Sequence, residues 1–149
     1  MKVAKVSLLL LLCGCLLLAT GCRQTKEEKK YFECIRIAHS LSFDTQDGDQ
    51  IELYGSMSNI KHNLCAWHEA GELVPFEDSF EEEWLFRLVF NFESKDAVTH
   101  ENGTRIEVLV GESLLQIGDQ TYQTQGELSH SELLEWLDMQ YTWQSENGY

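Results

Sequence analysis

Trp84-Leu85-Phe86-Arg87-Leu88-Val89-Phe90-Asn91-Phe92 is the stretch whose reading decides the fold. Its residues sort with a period of two. Trp84, Phe86, Leu88, Phe90 and Phe92 fall on one side, and Leu85, Arg87, Val89 and Asn91 on the other. That alternation is the pattern of a half-buried β-strand, and aromatic and β-branched residues suit it. A face of four aromatics and a leucine has to meet a core, while the opposite face, with Arg87 and Asn91, can meet water.

Downstream of this strand the turn signals are clear. Asn102-Gly103 has the sequence of a type I′ turn and leads into Thr104 to Val110, with Ile106, Val108 and Val110 on one face. Leu114 to Ile117, Gly118-Asp119-Gln120 and Thr121 to Gln123 read as a tight final hairpin. Ser129-His130-Ser131-Glu132 is a capping box, with Leu128 and Leu133 placed as its hydrophobic staple. The helix it starts is expected from His130 to about Trp143, with Leu133, Leu137 and Tyr141 in a stripe suited to packing on a sheet.

Upstream the pattern is less decisive. Tyr31 to Ile37 sets Tyr31, Glu33, Ile35 and Ile37 against Phe32, Cys34 and Arg36, and reads as a first strand. Asp49-Gln50-Ile51-Glu52 has the form of a capping box, with Leu53, Met57, Ile60 and Leu64 at helical spacing. Asp47-Gly48 also resembles a hairpin turn, with Ile51 and Leu53 alternating along a strand. The helix, over about 50–60, is the expectation taken. Cys65 to Glu83, with the only proline at Pro75, reads as loop. The predicted architecture is α+β: a small single domain with an antiparallel sheet of about 4–5 strands and a C-terminal helix packed on one face.

The N-terminus carries a separate message. Lys2 and Lys5 precede an apolar run, Val6 to Leu18, that is shorter than the roughly 20 residues a spanning helix needs. The run closes on Leu18-Ala19-Thr20-Gly21-Cys22, which resembles the lipobox of bacterial lipoproteins, with Ala19 where that family usually has leucine. The resemblance covers the targeting segment only. It implies lipid transfer to the Cys22 thiol, cleavage after Gly21 and acylation of the new N-terminus. A second tetrad, Leu12-Cys13-Gly14-Cys15, would leave Leu16-Leu17-Leu18 on the mature chain, so Cys22 is preferred. The expected organisation is a signal peptide at 1–21, a lipidated cysteine with a polar basic tether at 22–30, and an acidic domain at 31–149.

Charge sharpens this division. From Tyr31 onward there are 23 acidic and 5 basic residues, a net −18 with histidines neutral, against −14 for the whole chain. Lysines at 26, 29 and 30 with Arg23 sit beside the anchor, where anionic headgroups attract them. Nucleic acid is excluded as a partner, because phosphate binding needs a basic surface. A basic protein or peptide is electrostatically compatible, and Glu77, Asp78, Glu81, Glu82 and Glu83 form the candidate docking patch. The same run next to Trp84 also serves as a gatekeeper against aggregation.

Removing Cys13 and Cys15 and lipidating Cys22 leaves Cys34 and Cys65, a candidate disulfide in an extracytoplasmic compartment. Its loop of about 30 residues would be worth about 3–4 kcal/mol in the chain-entropy model. The alternative is two buried thiols. His62, Cys65 and His68 are the densest group of metal-ligating types, suited to zinc or copper, but their spacing matches no metal motif. A helix would also turn His68 off the face shared by His62 and Cys65. Cys65 with either histidine as a catalytic pair has no recognisable oxyanion loop, and no Gly-x-Ser-x-Gly elbow occurs. Asp44, Asp47, Asp49 and Glu52 around Gly48 fail the EF-hand register, which would put Phe43 first and Tyr54 last. Trp84 and Trp136 are expected in the core.

Taken together, the sequence predicts a non-enzymatic binding or accessory lipoprotein without a cofactor. It would be anchored in the cell membrane or outer membrane with its domain on the extracytoplasmic side. Two alternatives stand beside this. One is an inhibitor or immunity-type lipoprotein neutralising a cationic hydrolase or peptide; the other is a metal-binding lipoprotein using His62, Cys65 and His68.

Overall fold

The computed structural model describes residues 26–54, 57–93 and 105–147. Among the described residues, seven strands and three helices follow in the order α1 (Lys26–Ile37), β1 (Ser40–Thr45), β2 (Ile51–Tyr54), α2 (Ser58–Glu69), β3 (Leu73–Phe76), β4 (Phe86–Asn91), β5 (Arg105–Val110), β6 (Leu114–Ile117), β7 (Gln120–Thr124) and α3 (His130–Asn147). The class is α+β as expected, but the sheet has seven strands, in the order β2-β1-β4-β5-β6-β7-β3. Every neighbouring pair is antiparallel.

The strand at Phe86–Asn91 lies in the middle of the sheet, between β1 and β5. Rows of apolar residues cross it from strand to strand. Phe43 pairs with Leu88, Leu88 with Val108 and Val108 with Ile117; Phe86, Val110, Leu115 and Tyr122 form a parallel row. All of these side chains are buried. All three helices lie on this face. Phe32 of α1 meets Tyr122 edge-on at 6.0 Å, Tyr141 of α3 meets Phe43 at 5.4 Å, and Trp67 of α2 meets Trp136 of α3 at 5.4 Å. Trp136 is therefore partly buried core, as its helical position implied.

One turn and one helix start follow the sequence closely. The β6–β7 hairpin has a two-residue turn in which Gly118 takes a positive φ of 62° and Asp119 does not. Glycine at the first central position is the type II′ requirement. At the start of α3, the Ser129 Oγ accepts from the Glu132 N–H at 3.3 Å, and the Glu132 carboxylate accepts from the Ser129 N–H at 3.3 Å. That is the capping box closed in both directions. The Asn102-Gly103 turn lies outside the described residues.

Three expectations are corrected. Tyr31 to Ile37 is helical, within α1, rather than a strand. Tyr31, Phe32, Cys34, Ile35 and Ala38 are buried while Glu33, Arg36 and Ile37 are exposed, a period of three to four. The strand reading would have put Glu33 on the buried face with Tyr31 and Ile35. The helix also takes in residues 26–30 of the expected tether.

Residues 50–60 are not one helix: Ile51–Tyr54 pairs with β1, and α2 starts at Ser58. Thr45 to Gly48 turns, with the Gly48 N–H donating to the Thr45 carbonyl at 3.3 Å. The Asp49 carbonyl accepts from the Tyr141 hydroxyl at 2.7 Å instead of starting a helix.

Within the expected loop 65–83, α2 runs on to Glu69 and Leu73–Phe76 adds a strand beside β7. β3 is an edge strand, a position in a sheet that tolerates a proline such as Pro75. To reach that edge from β2 at the other, α2 has to run across the covered face. Its crossing creates the groove described next.

A groove between two helices

α2 starts after Met57, which supplies no side-chain cap, and buries Ile60, Leu64, Cys65 and His68 against the core. Its opposite flank, at Ser58, Lys61, His62, Ala66 and Glu69, faces the end of α1 at Arg36, Ala38 and His39. A groove of about 730 Å³ lies between them, with Cys65 and Met57 also in its lining. That volume is in the usual range for small-molecule sites.

Its polar contacts tie the two helices together. Arg36 of α1 pairs with Glu69 of α2, both side chains more than half exposed. The Lys61 ammonium donates to the Ala38 carbonyl at 2.6 Å, satisfying the chain just past the end of α1. Burial pushes the Lys61 ammonium below its ordinary value. The Cys65 thiol donates to the Phe32 carbonyl at 3.6 Å. Burial raises its pKa, and the nearby Arg36 and Lys61 only partly offset that. Cys65 is thus held as the protonated thiol at neutral pH, the opposite of an activated nucleophile.

The residues singled out by sequence divide between groove and core. Cys34 and Cys65 are both buried and are not joined to each other, so the candidate disulfide is not formed. The α1 helix places Cys34 on its core face, whereas Cys65 reaches the backbone at Phe32 from the groove side. His62 lines the groove and is exposed. His68 does not join it. Its ring stacks on Phe32 at 3.7 Å and 16°, and burial depresses its pKa. His62 and Cys65 therefore share the groove while His68 lies apart against Phe32, and among the described residues no three His, Cys, Asp or Glu side chains are placed to hold a metal ion.

The acidic run divides as well. Glu77, Asp78, Glu81 and Glu83 are exposed. Glu82 turns inward and accepts from the Ser113 hydroxyl, from the Ser113 N–H at 2.9 Å and from the Leu114 N–H at 3.1 Å. Burial alone would raise the Glu82 carboxyl, but these hydrogen bonds outweigh it and hold it below its ordinary value. Cys22 lies outside the described residues, and among those described no helix is long and apolar enough to cross a membrane.

Sequence reasoning did not single out Arg36, His39 or Lys61. The available signal was scarcity: Arg36 and Lys61 are two of only five Lys and Arg residues after position 30. No family model, curated protein or solved structure matches this chain.

Proposed function

We propose that this chain is a bacterial lipoprotein, anchored through Cys22 in the cell membrane or outer membrane. Its extracytoplasmic α+β domain acts by binding, as an accessory of the envelope, and not by catalysis. The observation that carries the reading is the segment Leu18-Ala19-Thr20-Gly21-Cys22, closing a short apolar run and followed at once by polar, lysine-rich sequence.

The fold supports a domain held close to its anchor. α1 begins at Lys26, so the stretch from Cys22 covers at most about 14 Å when fully extended. The twelve residues of α1 then extend about 18 Å, and the groove lies at the far end of that helix. The basic residues at 23, 26, 29 and 30 stay beside the headgroups, and the −18 domain is repelled by them.

The test is metabolic labelling with an alkyne analogue of palmitate in a bacterial host, with mass analysis of the purified protein. The expected product begins at Cys22 and carries the label, and Cys22→Ala abolishes both labelling and cleavage. An unlabelled wild-type protein, or a label that survives Cys22→Ala, overturns the reading. A second reading, an inhibitor of a cationic hydrolase or peptide, is favoured by four exposed carboxylates crowded between β3 and β4. Capture of a basic partner at low salt and its release at high salt would support it.

A further inference from the structure

The domain is strongly acidic, yet its groove is lined on the opposite sign. Of the ten residues around it, Arg36 and Lys61 are cationic, His39 and His62 are imidazoles, and Glu69 is the one carboxylate. Glu69 is already engaged by Arg36 across the helices. We propose that the groove is a binding site for a small organic anion, a carboxylate or phosphate ester whose charged end meets Lys61 and Arg36 and whose apolar part lies against Met57. The proposal deepens the binding function proposed above and does not depend on attachment at Cys22.

Three observations lead to that class of ligand. First, Lys61 is a half-buried cation without a carboxylate within ion-pair distance among the described residues. Its one hydrogen bond, to the Ala38 carbonyl, leaves two of the three ammonium protons to donate. A partly desolvated ammonium gains most from an anion, because the charge-assisted bond replaces lost hydration. Second, Arg36 gives Glu69 one of five N–H donors and has no acceptor capacity, so its remaining chemistry is also donation. Third, the groove is larger than an inorganic ion requires, and Met57, Ala38 and Ala66 give it apolar wall. Repulsion by the −18 domain excludes anions from most of the surface, which makes a local basic groove selective by contrast.

The experiment is calorimetric titration of the full-length chain in a non-ionic detergent at fixed ionic strength. Benzoate is the probe, and benzylammonium is its charge-reversed counterpart of similar size. The expected result is benzoate binding at least about tenfold tighter than benzylammonium, weakened about tenfold by Lys61→Met and by Arg36→Gln. Arg105→Gln removes the same charge from an exposed pair with Glu107 and is expected to change benzoate affinity less than about twofold.

Benzylammonium binding as tightly as benzoate would overturn the proposal, and that comparison needs no variant to fold. So would benzoate affinity weaker than about 10 mM, or an Arg105→Gln loss equal to that of Lys61→Met. Failure of lipid labelling at Cys22 leaves these outcomes untouched, whereas failure of benzoate binding leaves the anchor in place.

Discussion

The two faces of the seven-stranded sheet are made from alternate residues of the same strands, and they are held together by different physics. On the covered face, Leu41, Phe43, Phe86, Leu88, Phe90, Val108 and Ile117 form one apolar layer under three helices. On the other face the neighbours are Ser40 with Asn91, Asp44 with Arg87, and Arg105 with Glu107, joined by hydrogen bonds and ion pairs. Arg87 also lies 5.3 Å from the Trp84 ring. The contrast teaches where stability resides. Apolar burial scales with area and is lost in large steps, while polar pairs with one partner open to water contribute less each.

The sharpest way to break this comparison uses adjacent residues of β4. Leu88 is fully enclosed, between Phe43 and Val108 in the cross-strand row. Leu88→Ala should cost about 3–5 kcal/mol in chemical denaturation, the transfer loss plus a cavity. Val89, one residue on and facing the other way between Ser42 and Glu107, should lose only about 1 kcal/mol as Val89→Thr. Equal losses would mean that the second face carries a core of its own.

A smaller effect is expected at Arg87. Asp44 is 6 % exposed, and Arg87 meets its carboxylate through two N–H groups, at 2.8 and 3.3 Å. Arg87→Met strands that carboxylate, at a cost of about 1–2 kcal/mol, reduced from the value for a fully buried pair because Arg87 is itself a third exposed. Adding Asp44→Asn should recover part of the loss. A double variant no more stable than Arg87→Met alone would show that the arginine acts through packing on Trp84 rather than through charge.

How much of this was legible depended on whether one period dominated. β4 and the β6–β7 hairpin were readable because aromatic alternation and Gly118-Asp119 allow one interpretation. Ser129 and Glu132 were readable because the capping box is local and complete within four residues. β1 was not, because Ser40, Ser42 and Asp44, buried although polar, occupy the face opposite the helices and leave only Leu41 and Phe43 as apolar signal. α1 was misread because Tyr31, Phe32, Cys34, Ile35 and Ile37 satisfy both periods. What decides for the helix is tertiary: the face containing Phe32 and Ile35 is buried, while Arg36 is left out to meet Glu69. The groove depends on that helix and on the path of α2 across the sheet, so it could not be read from any one segment.

The smallest expected effect tests whether the polar rim at Glu82 responds to pH while the apolar layer does not. Glu82 fastens the segment before β4 to the turn between β5 and β6, and Glu83 beside it is exposed. Glu82→Gln should cost about 1 kcal/mol at neutral pH, since hydrogen bonds to a charged acceptor are weakened but not all lost. Glu83→Gln should stay within about 0.5 kcal/mol of the parent. The folded protein holds the Glu82 carboxyl below its ordinary value, so the unfolded chain takes up the proton first on acidification. The stabilisation from Glu82 is therefore present above the ordinary carboxylate value and disappears as pH falls through the lower folded one. Denaturation curves for the parent and Glu82→Gln should converge over that acidic range, while the deficit of Leu88→Ala persists. A Glu82→Gln deficit that is unchanged on acidification would show that shape at this turn, rather than the carboxylate charge, holds the rim in place.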